Sequence, residues 1–160
     1  MPFIALAIGL VIAVIDQIIK YFVSVNLQPV GTIEVIDNLF KLTYVENRGV
    51  AFGMFSDMRW IFVALTSIML IVIIFFMFKK HPDGKLFYIS AGLIIGGGIG
   101  NLIDRIFYGY VIDYLSLSFF SPVCNFADYC ITAGTVALIV YILFFSDLAG
   151  SSKKVKKADE

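Results

Sequence analysis

Two carboxylates in an otherwise apolar stretch are the first candidates for chemistry. Residues 111–129 read VIDYLSLSFFSPVCNFADY and contain Asp113 and Asp128, with no basic residue between them. Two carboxylates that meet in a poorly solvated site cannot both ionise easily, so one of them retains a proton. The ionised group can then accept a proton from water while the protonated group donates to a carbonyl oxygen. The alternative for either acid alone is a helix cap or an ion pair with an arginine.

The composition of the chain indicates where such a pair would be held. Of 160 residues, 60% are hydrophobic and 15% are charged, whereas soluble proteins have about 25% charged residues. We therefore expect a single integral-membrane domain over residues 1–160. Twelve Lys and Arg residues balance twelve Asp and Glu residues, so the net charge does not favour a nucleic-acid partner.

Apolar runs of about 20 residues predict membrane-spanning helices. The sequence has four such runs, at 3–25, 59–78, 86–107 and 126–145. The first run is too long and too charged for the apolar region of a cleaved signal peptide. The sequence therefore predicts an all-α polytopic membrane protein with four transmembrane helices.

The distribution of lysines predicts the orientation of these helices. Lysines are concentrated in the short loop 79–85 and in the tail 146–160. With four spans, this loop and this tail lie on the same side, and an excess of Lys and Arg marks the cytoplasmic side. Both termini are then cytoplasmic, and the segments 26–58 and 108–125 lie at the outer face.

The outer segments carry three further predictions. Residues 32–46 are rich in β-branched and aromatic residues, with a possible turn at Asp37 and Asn38, and predict a small extracytoplasmic β-hairpin. Residues 47–55 are too short to span and predict a short interfacial helix. We hypothesise that this helix is a lid that moves over the site, and the alternative is a static interfacial segment. Residues 108–125 are interpreted as a short apolar loop.

Polar residues inside the spans are costly and need partners. Asp16 and Lys20 are four residues apart in the favourable order for a helical ion pair, which indicates a structural role. Asp104 and Arg105 are interpreted as an internal ion pair. Asn101 needs either hydrogen-bond partners or a role in a site.

Glycines of the third span indicate close helix packing. Gly92, Gly96 and Gly100 recur every four residues and form one smooth face. Asp104 continues that face one turn further on. We therefore expect a second helix to approach this face closely.

Histidine and cysteine residues give no sign of a metal site. His81 is the only histidine and lies in the loop predicted to be cytoplasmic. Cys124 and Cys130 are expected to be free thiols, because about 9 Å would separate their Cα atoms in a helix. No zinc-binding pattern is visible, and we expect no cofactor.

Five motifs, in order, resemble those of the lipoprotein signal peptidases, or signal peptidase II. They are DQIIK (16–20), ENRGVAFG (46–53), GGGIGNLIDR (96–105), VIDY (111–114) and NFADY (125–129). The resemblance covers essentially the whole chain. Departures, such as Tyr114 where phenylalanine is common, remove no polar group.

The resemblance implies an intramembrane aspartic endopeptidase of the bacterial plasma membrane. Such an enzyme removes signal peptides from prolipoproteins, cutting before a diacylglyceryl-modified cysteine. The implied catalytic residues are Asp113 and Asp128. Further positions matching the family's site are Asn47, Asn101, Arg105 and Asn125, and those matching supporting positions are Asp16, Lys20 and Asp104.

The resemblance also implies the partners of the chain. These are diacylglyceryl-modified prolipoproteins, membrane lipids and the cyclic peptide inhibitor globomycin, with no metal or cofactor and no nucleic acid. A monomer is expected.

Two other classes of function are alternatives to a peptidase. One is a proton-coupled transporter or channel with a relay of acids, which are Asp16, Asp104, Asp113 and Asp128. Such a relay needs acids at several depths in the membrane, whereas these are predicted to cluster at one face. The other is a non-catalytic membrane scaffold, for which so many buried polar groups would be unnecessary.

Overall fold

The computed structural model describes residues 1–49 and 59–145. Its four helices are long and apolar enough to cross a membrane, and their bounds are α1 Pro2–Asn26, α2 Arg59–Lys80, α3 Lys85–Phe107 and α4 Phe126–Phe144. They agree with the four predicted spans within two residues at each end. The chain is a multi-pass membrane protein.

Helix α3 lies at the centre of the helical bundle and contacts each of the other three helices. In its most apolar window 67% of the residues are buried, against 33% or fewer in the other three helices. The outward faces of α1, α2 and α4 therefore remain apolar and exposed, as helices in lipid require.

Glycines of α3 allow this central position, as the sequence predicted. A Cβ atom added at Gly92 would lie 2.8 Å from Ile8, and one added at Gly96 would lie 2.7 Å from the carbonyl oxygen of Gly9. On another face, a Cβ at Gly97 would lie 2.5 Å from the carbonyl oxygen of Ala127. Backbones of α1 and α4 thus pack directly on α3, and this brings their polar residues together.

Four strands form one antiparallel sheet in the order β1-β2-β3-β4. Their bounds are β1 Thr32–Ile36, β2 Phe40–Asn47, β3 Val111–Leu117 and β4 Phe120–Cys124. The first two strands confirm the predicted hairpin. Its turn contains Asn38 at φ 55°, a left-handed conformation that asparagine tolerates better than most residues.

The interpretation of residues 108–125 as a loop is wrong. This segment contains β3 and β4, and β3 pairs with β2 so that Asp113 lies opposite Val45. The first four residues of β3 are all buried, which explains why the sequence lacks the alternation of a half-exposed strand. The second hairpin places Asp113 inside a sheet instead of on a free loop.

The predicted interfacial helix and lid at residues 47–55 lie largely outside the described residues. Asn47 ends β2, and Arg48 and Gly49 follow it. The predicted cytoplasmic tail 146–160 also lies outside the described residues.

Candidate active site

Asp113 lies on β3, is 2% exposed, and accepts a hydrogen bond at each carboxylate oxygen. The side-chain amide of Asn125 donates to Oδ1 at 2.6 Å, and that of Asn47 donates to Oδ2 at 2.8 Å. These donors come from β2 and from the residue that precedes α4. Three separate parts of the chain therefore fix the position of this carboxylate.

Asp128 both caps α4 and faces the same site. Its backbone N–H donates to Oδ1 of Asn125 at 3.0 Å, and its own Oδ2 accepts the backbone N–H of Asn125 at 3.0 Å. This reciprocal pair is a capping box. The second carboxylate oxygen, Oδ1, accepts from the side-chain amide of Asn101 at 2.8 Å. The helix-cap alternative therefore accounts for only one of the two oxygens.

Two amide side chains link the carboxylates. Asn125 donates to Asp113 and also to Oδ1 of Asn101 at 3.1 Å, and Asn101 in turn donates to Asp128. The result is a continuous hydrogen-bonded chain from one acid to the other. Each amide has a fixed orientation because its donors and acceptors are both in use.

Electrostatics at this site favour a proton on Asp113. Burial of its carboxyl, followed by the negative charge of Asp128, raises the pKa of Asp113 to about 7, although the amides of Asn47 and Asn125 act in the opposite direction. A carboxyl with such a pKa exchanges a proton near neutral pH, as general acid–base chemistry requires.

A buried cluster of charges lies beneath the two acids. The ammonium of Lys20 contacts Asp16 at 2.8 Å, Asp104 at 2.8 Å and Oδ1 of Asn101 at 2.9 Å. Lys20 is 2% exposed and both acids are fully buried. The predicted Asp16–Lys20 pair is confirmed, and all three ammonium protons have acceptors.

The interpretation of Asp104 and Arg105 as an ion pair is wrong. Asp104 pairs with Lys20, because consecutive residues of a helix point about 100° apart and Asp104 faces α1. The guanidinium of Arg105 lies 5.4 Å from the ring centroid of Phe62 on α2. Within residues 1–49 and 59–145, Arg105 forms no ion pair, and its Nη1 donates to the carbonyl oxygen of Asn101 at 3.4 Å.

The charge cluster also holds the backbone beside each acid. Oδ2 of Asp104 accepts the backbone N–H of Ile112 at 3.1 Å, next to Asp113. Oδ1 of Asp16 accepts the backbone N–H of Ala127 at 3.2 Å, next to Asp128. One salt-bridged unit therefore positions both the strand and the helix that carry the pair.

The acids form one connected cluster at a single end of the bundle. This is the arrangement expected of a site, whereas a proton relay would distribute acids along the membrane normal. Among the described residues there is no group of three His, Cys, Asp or Glu side chains suited to a metal ion. Cys124 and Cys130 are free cysteines.

Comparison with known proteins identifies the family. The family model described as signal peptidase (SPase) II matches residues 8–144, which include both acids and every residue of the charge cluster. The chain belongs to the signal peptidase II family. It is therefore an aspartic peptidase that removes signal peptides from prolipoproteins during bacterial lipoprotein maturation.

Individual relatives of the signal peptidase II family agree with this assignment. The lipoprotein signal peptidase of Clostridium acetobutylicum is 40% identical over 151 residues, covering 92% of this chain and 96% of the relative. That of Clostridioides difficile is 43% identical over 134 residues, covering 82% and 88%. A solved bacterial membrane enzyme superimposes with a TM-score of 0.79 at 28% identity, covering 89% of this chain and 94% of that one.

Two residues of this signal peptidase II site were missed in the sequence. Gln17 donates to Oδ1 of Asp104 at 2.9 Å and to the carbonyl oxygen of Gly100 at 3.2 Å. An amide inside a span needs partners, so the argument made for Asn101 also applied to Gln17. The hydroxyl oxygen of Tyr114 accepts the backbone N–H of Phe126 at 3.2 Å, and only the unrecognised strand could have placed it there.

Proposed function

We propose that Asp113 and Asp128 are the catalytic residues of this signal peptidase. The observation that carries the proposal is the chain of two amides that holds both carboxylates in one site. The raised pKa of Asp113, to about 7, supplies a carboxyl that can hold a proton near neutral pH. The two acids lie on different elements, β3 and α4. The fold brings them into one site, and this supports a joint role.

The chemistry follows from one proton shared between two carboxyls. The ionised carboxylate removes a proton from water, which attacks the scissile carbonyl carbon, while the protonated carboxyl donates to the carbonyl oxygen. The resulting gem-diol collapses as the leaving nitrogen takes a proton, and the pair returns to its singly protonated state. The two carboxyls titrate as a coupled pair, so loss of the single shared proton should inactivate the enzyme.

The other polar residues then have separate roles. The amides of Asn47, Asn101 and Asn125 hold the carboxylates. Arg105 has guanidinium N–H groups available for substrate carbonyl oxygens, since only one weak hydrogen bond to Asn101 uses them within the described ranges. The backbone beside the pair is positioned by the three residues of the charge cluster, which are Asp16, Lys20 and Asp104.

The substrate is a diacylglyceryl-modified prolipoprotein, cut immediately before the lipidated cysteine. We place the enzyme in the bacterial plasma membrane as one integral-membrane domain over residues 1–160, monomeric, with both termini cytoplasmic. The sheet and the catalytic pair then lie near the outer face, where a lipidated cysteine resides. Membrane lipids surround the helices, and a globomycin-type cyclic peptide binds at the pair as an inhibitor.

Cleavage by the purified protein tests this function. Detergent-purified enzyme is incubated with a prolipoprotein bearing a diacylglyceryl cysteine, and with the same protein lacking the lipid. We expect release of the signal peptide from the lipidated form only, with inhibition by globomycin. Equal cleavage of both forms would contradict the assigned substrate, and cleavage of neither would contradict the function.

Thiol labelling in intact cells tests the orientation. In a background lacking Cys124 and Cys130, we expect cysteines introduced at Gly31 or Asn38 to react with a membrane-impermeant reagent, because both lie in or beside the β1–β2 hairpin. A cysteine at Asp83, between α2 and α3, should react only after permeabilisation. Labelling of position 83 in intact cells would reverse the orientation.

The pH dependence of cleavage follows from the raised pKa of Asp113. Because this pKa is raised to about 7, the shared proton is present below that pH and is lost as the pH rises through it. We expect kcat/KM to fall about tenfold per pH unit on the alkaline side, with an apparent pKa near 7.

A variant at Asn47 extends that test. Its amide lowers the pKa of Asp113, so Asn47→Ala should move the alkaline limb to higher pH. Lys41→Met, on the same strand but in an exposed ion pair with Glu34, is the matched control and should leave the profile unchanged. If the alkaline limb of the pH profile does not move in Asn47→Ala, the pH dependence does not arise from Asp113.

A further inference from the structure

An apolar groove runs along the side of the bundle formed by α1 and α3. It has a volume of about 500 Å³. Among its lining residues are Leu10, Val14, Ile18 and Phe22 of α1, with Ile99 and Ile103 of α3. From Leu10 to Phe22 the helix rises about 18 Å, close to the roughly 15 Å thickness of one hydrocarbon leaflet. The groove therefore has the length and the polarity to hold one acyl chain.

A polar cavity of about 230 Å³ continues this groove at the sheet end of the bundle. Its lining includes the hydroxyl or amide groups of Ser24, Gln28, Tyr44, Tyr108 and Tyr110. Two residues, Gln17 and Tyr21, line both the groove and the cavity. Tyrosines are favoured at the level of lipid headgroups, so the site is apolar along the leaflet and polar where headgroups lie.

The cavity offers hydrogen-bond donors that the protein does not use. Within residues 1–49 and 59–145, the side chains of Ser24 and Gln28 make no hydrogen bond. Lys20 also lines the cavity, but Asp16, Asp104 and Asn101 already accept its three protons. Outside the cavity, the guanidinium of Arg48 lies 5.4 Å from the ring centroid of Tyr110, but it pairs with Glu46.

We propose that this groove and cavity form a binding site for a glycerophospholipid. One acyl chain occupies the α1–α3 groove, and phosphodiester oxygens accept hydrogen bonds from the Ser24 hydroxyl and the Gln28 amide. A free phosphate would leave the groove empty. A diacylglycerol would offer these two donors only neutral oxygens, whereas hydrogen bonds to the charged phosphodiester are stronger. The observations therefore favour an intact phospholipid.

The lipid site is separate from the catalytic pair, but it contacts the charge cluster that positions the pair. Gln17 lines the site and donates to Asp104, which in turn holds the backbone N–H of Ile112 beside Asp113. Because a ligand that binds only the folded state stabilises it, the lipid should also raise the melting temperature.

Native mass spectrometry of the detergent-solubilised full chain tests the proposal. The probes are palmitoyl-oleoyl phosphatidylglycerol, the corresponding diacylglycerol, and glycerophosphoglycerol without acyl chains. We expect the wild type to retain one phospholipid per chain, with at least about tenfold weaker retention of either fragment.

Val14→Trp fills the groove and should reduce phospholipid retention about tenfold. Val11→Trp, an exposed residue of α1 outside the groove, should change retention by less than about twofold.

A second variant addresses the polar half of the site and keeps the test valid if Val14→Trp fails to fold. Ser24→Val with Gln28→Leu should weaken phospholipid retention about tenfold while leaving diacylglycerol retention unchanged. Equal retention by the groove variant and wild type would overturn the proposal. So would displacement of the phospholipid by a lipidated prolipoprotein, since the site would then belong to the substrate.

Discussion

Asp113→Asn and Asp128→Asn should each reduce signal-peptide cleavage by at least about a thousandfold, at the upper end of what a positioned acid or base contributes. An amide keeps the size of the carboxyl and can still accept hydrogen bonds, but it can neither remove a proton from water nor share one. Since the pair works as a unit, the double variant should be little worse than either single variant. Cleavage rates of lipidated prolipoprotein under single-turnover conditions measure the effect.

The control for this prediction is Asp37→Asn. Asp37 is an exposed acid in the turn between β1 and β2, so its amide variant should cleave at the wild-type rate. Far-ultraviolet circular dichroism and melting temperature check that the Asp113→Asn and Asp128→Asn variants, called the dyad variants below, remain folded. Cleavage by either dyad variant within tenfold of the wild-type rate would remove that residue from the catalytic pair.

Lys20→Met should destabilise the folded protein by about 3–5 kcal/mol, because it leaves Asp16 and Asp104 buried without a counter-charge. All three side chains are 2% exposed or less, so solvent does not screen this loss. Asp16→Asn should cost less, since an amide can still accept from Lys20 and Asp104 keeps its ion pair. Unfolding in a denaturant series in detergent measures both variants.

The matched control for the charge cluster is Lys41→Met. Lys41 also pairs with an acid, Glu34, at 3.4 Å, but the side chains are 40% and 43% exposed. An exposed pair of this kind contributes little to the free energy of unfolding, so Lys41→Met should change it far less than Lys20→Met. Equal losses for Lys20→Met and Lys41→Met would show that the buried cluster does not support the fold.

Features that depend on local sequence could be predicted. The four spans follow from the length of their apolar runs, and the β1–β2 hairpin follows from its β-branched and aromatic residues. The Asp16–Lys20 pair follows from helical spacing, and the packing face of Gly92 and Gly96 follows from their four-residue period. In each case the signal lies within one element, so no knowledge of tertiary contacts is needed.

Features that depend on contacts between elements could not be predicted from the sequence. The strand β3 is buried over its first four residues and therefore lacks alternation, so its sequence predicts a loop. The sequence suggests an ion pair of Asp104 with its neighbour Arg105, because only the approach of α1 to α3 brings Lys20 within reach. The amide chain through Asn101 and Asn125 likewise requires α3, α4 and β3 to be in place. Motif resemblance named those residues, but their hydrogen bonds are a property of the fold.

We propose that Asp113 and Asp128 activate water directly, and oxygen labelling tests this mechanism. A single turnover of lipidated prolipoprotein in H₂¹⁸O is followed by mass spectrometry of the released signal peptide and of the enzyme. Direct attack by water places one ¹⁸O atom in the new carboxylate of the signal peptide and none in either aspartate. Appearance of ¹⁸O in Asp113 or Asp128 would instead indicate a covalent anhydride intermediate and would contradict direct attack by water.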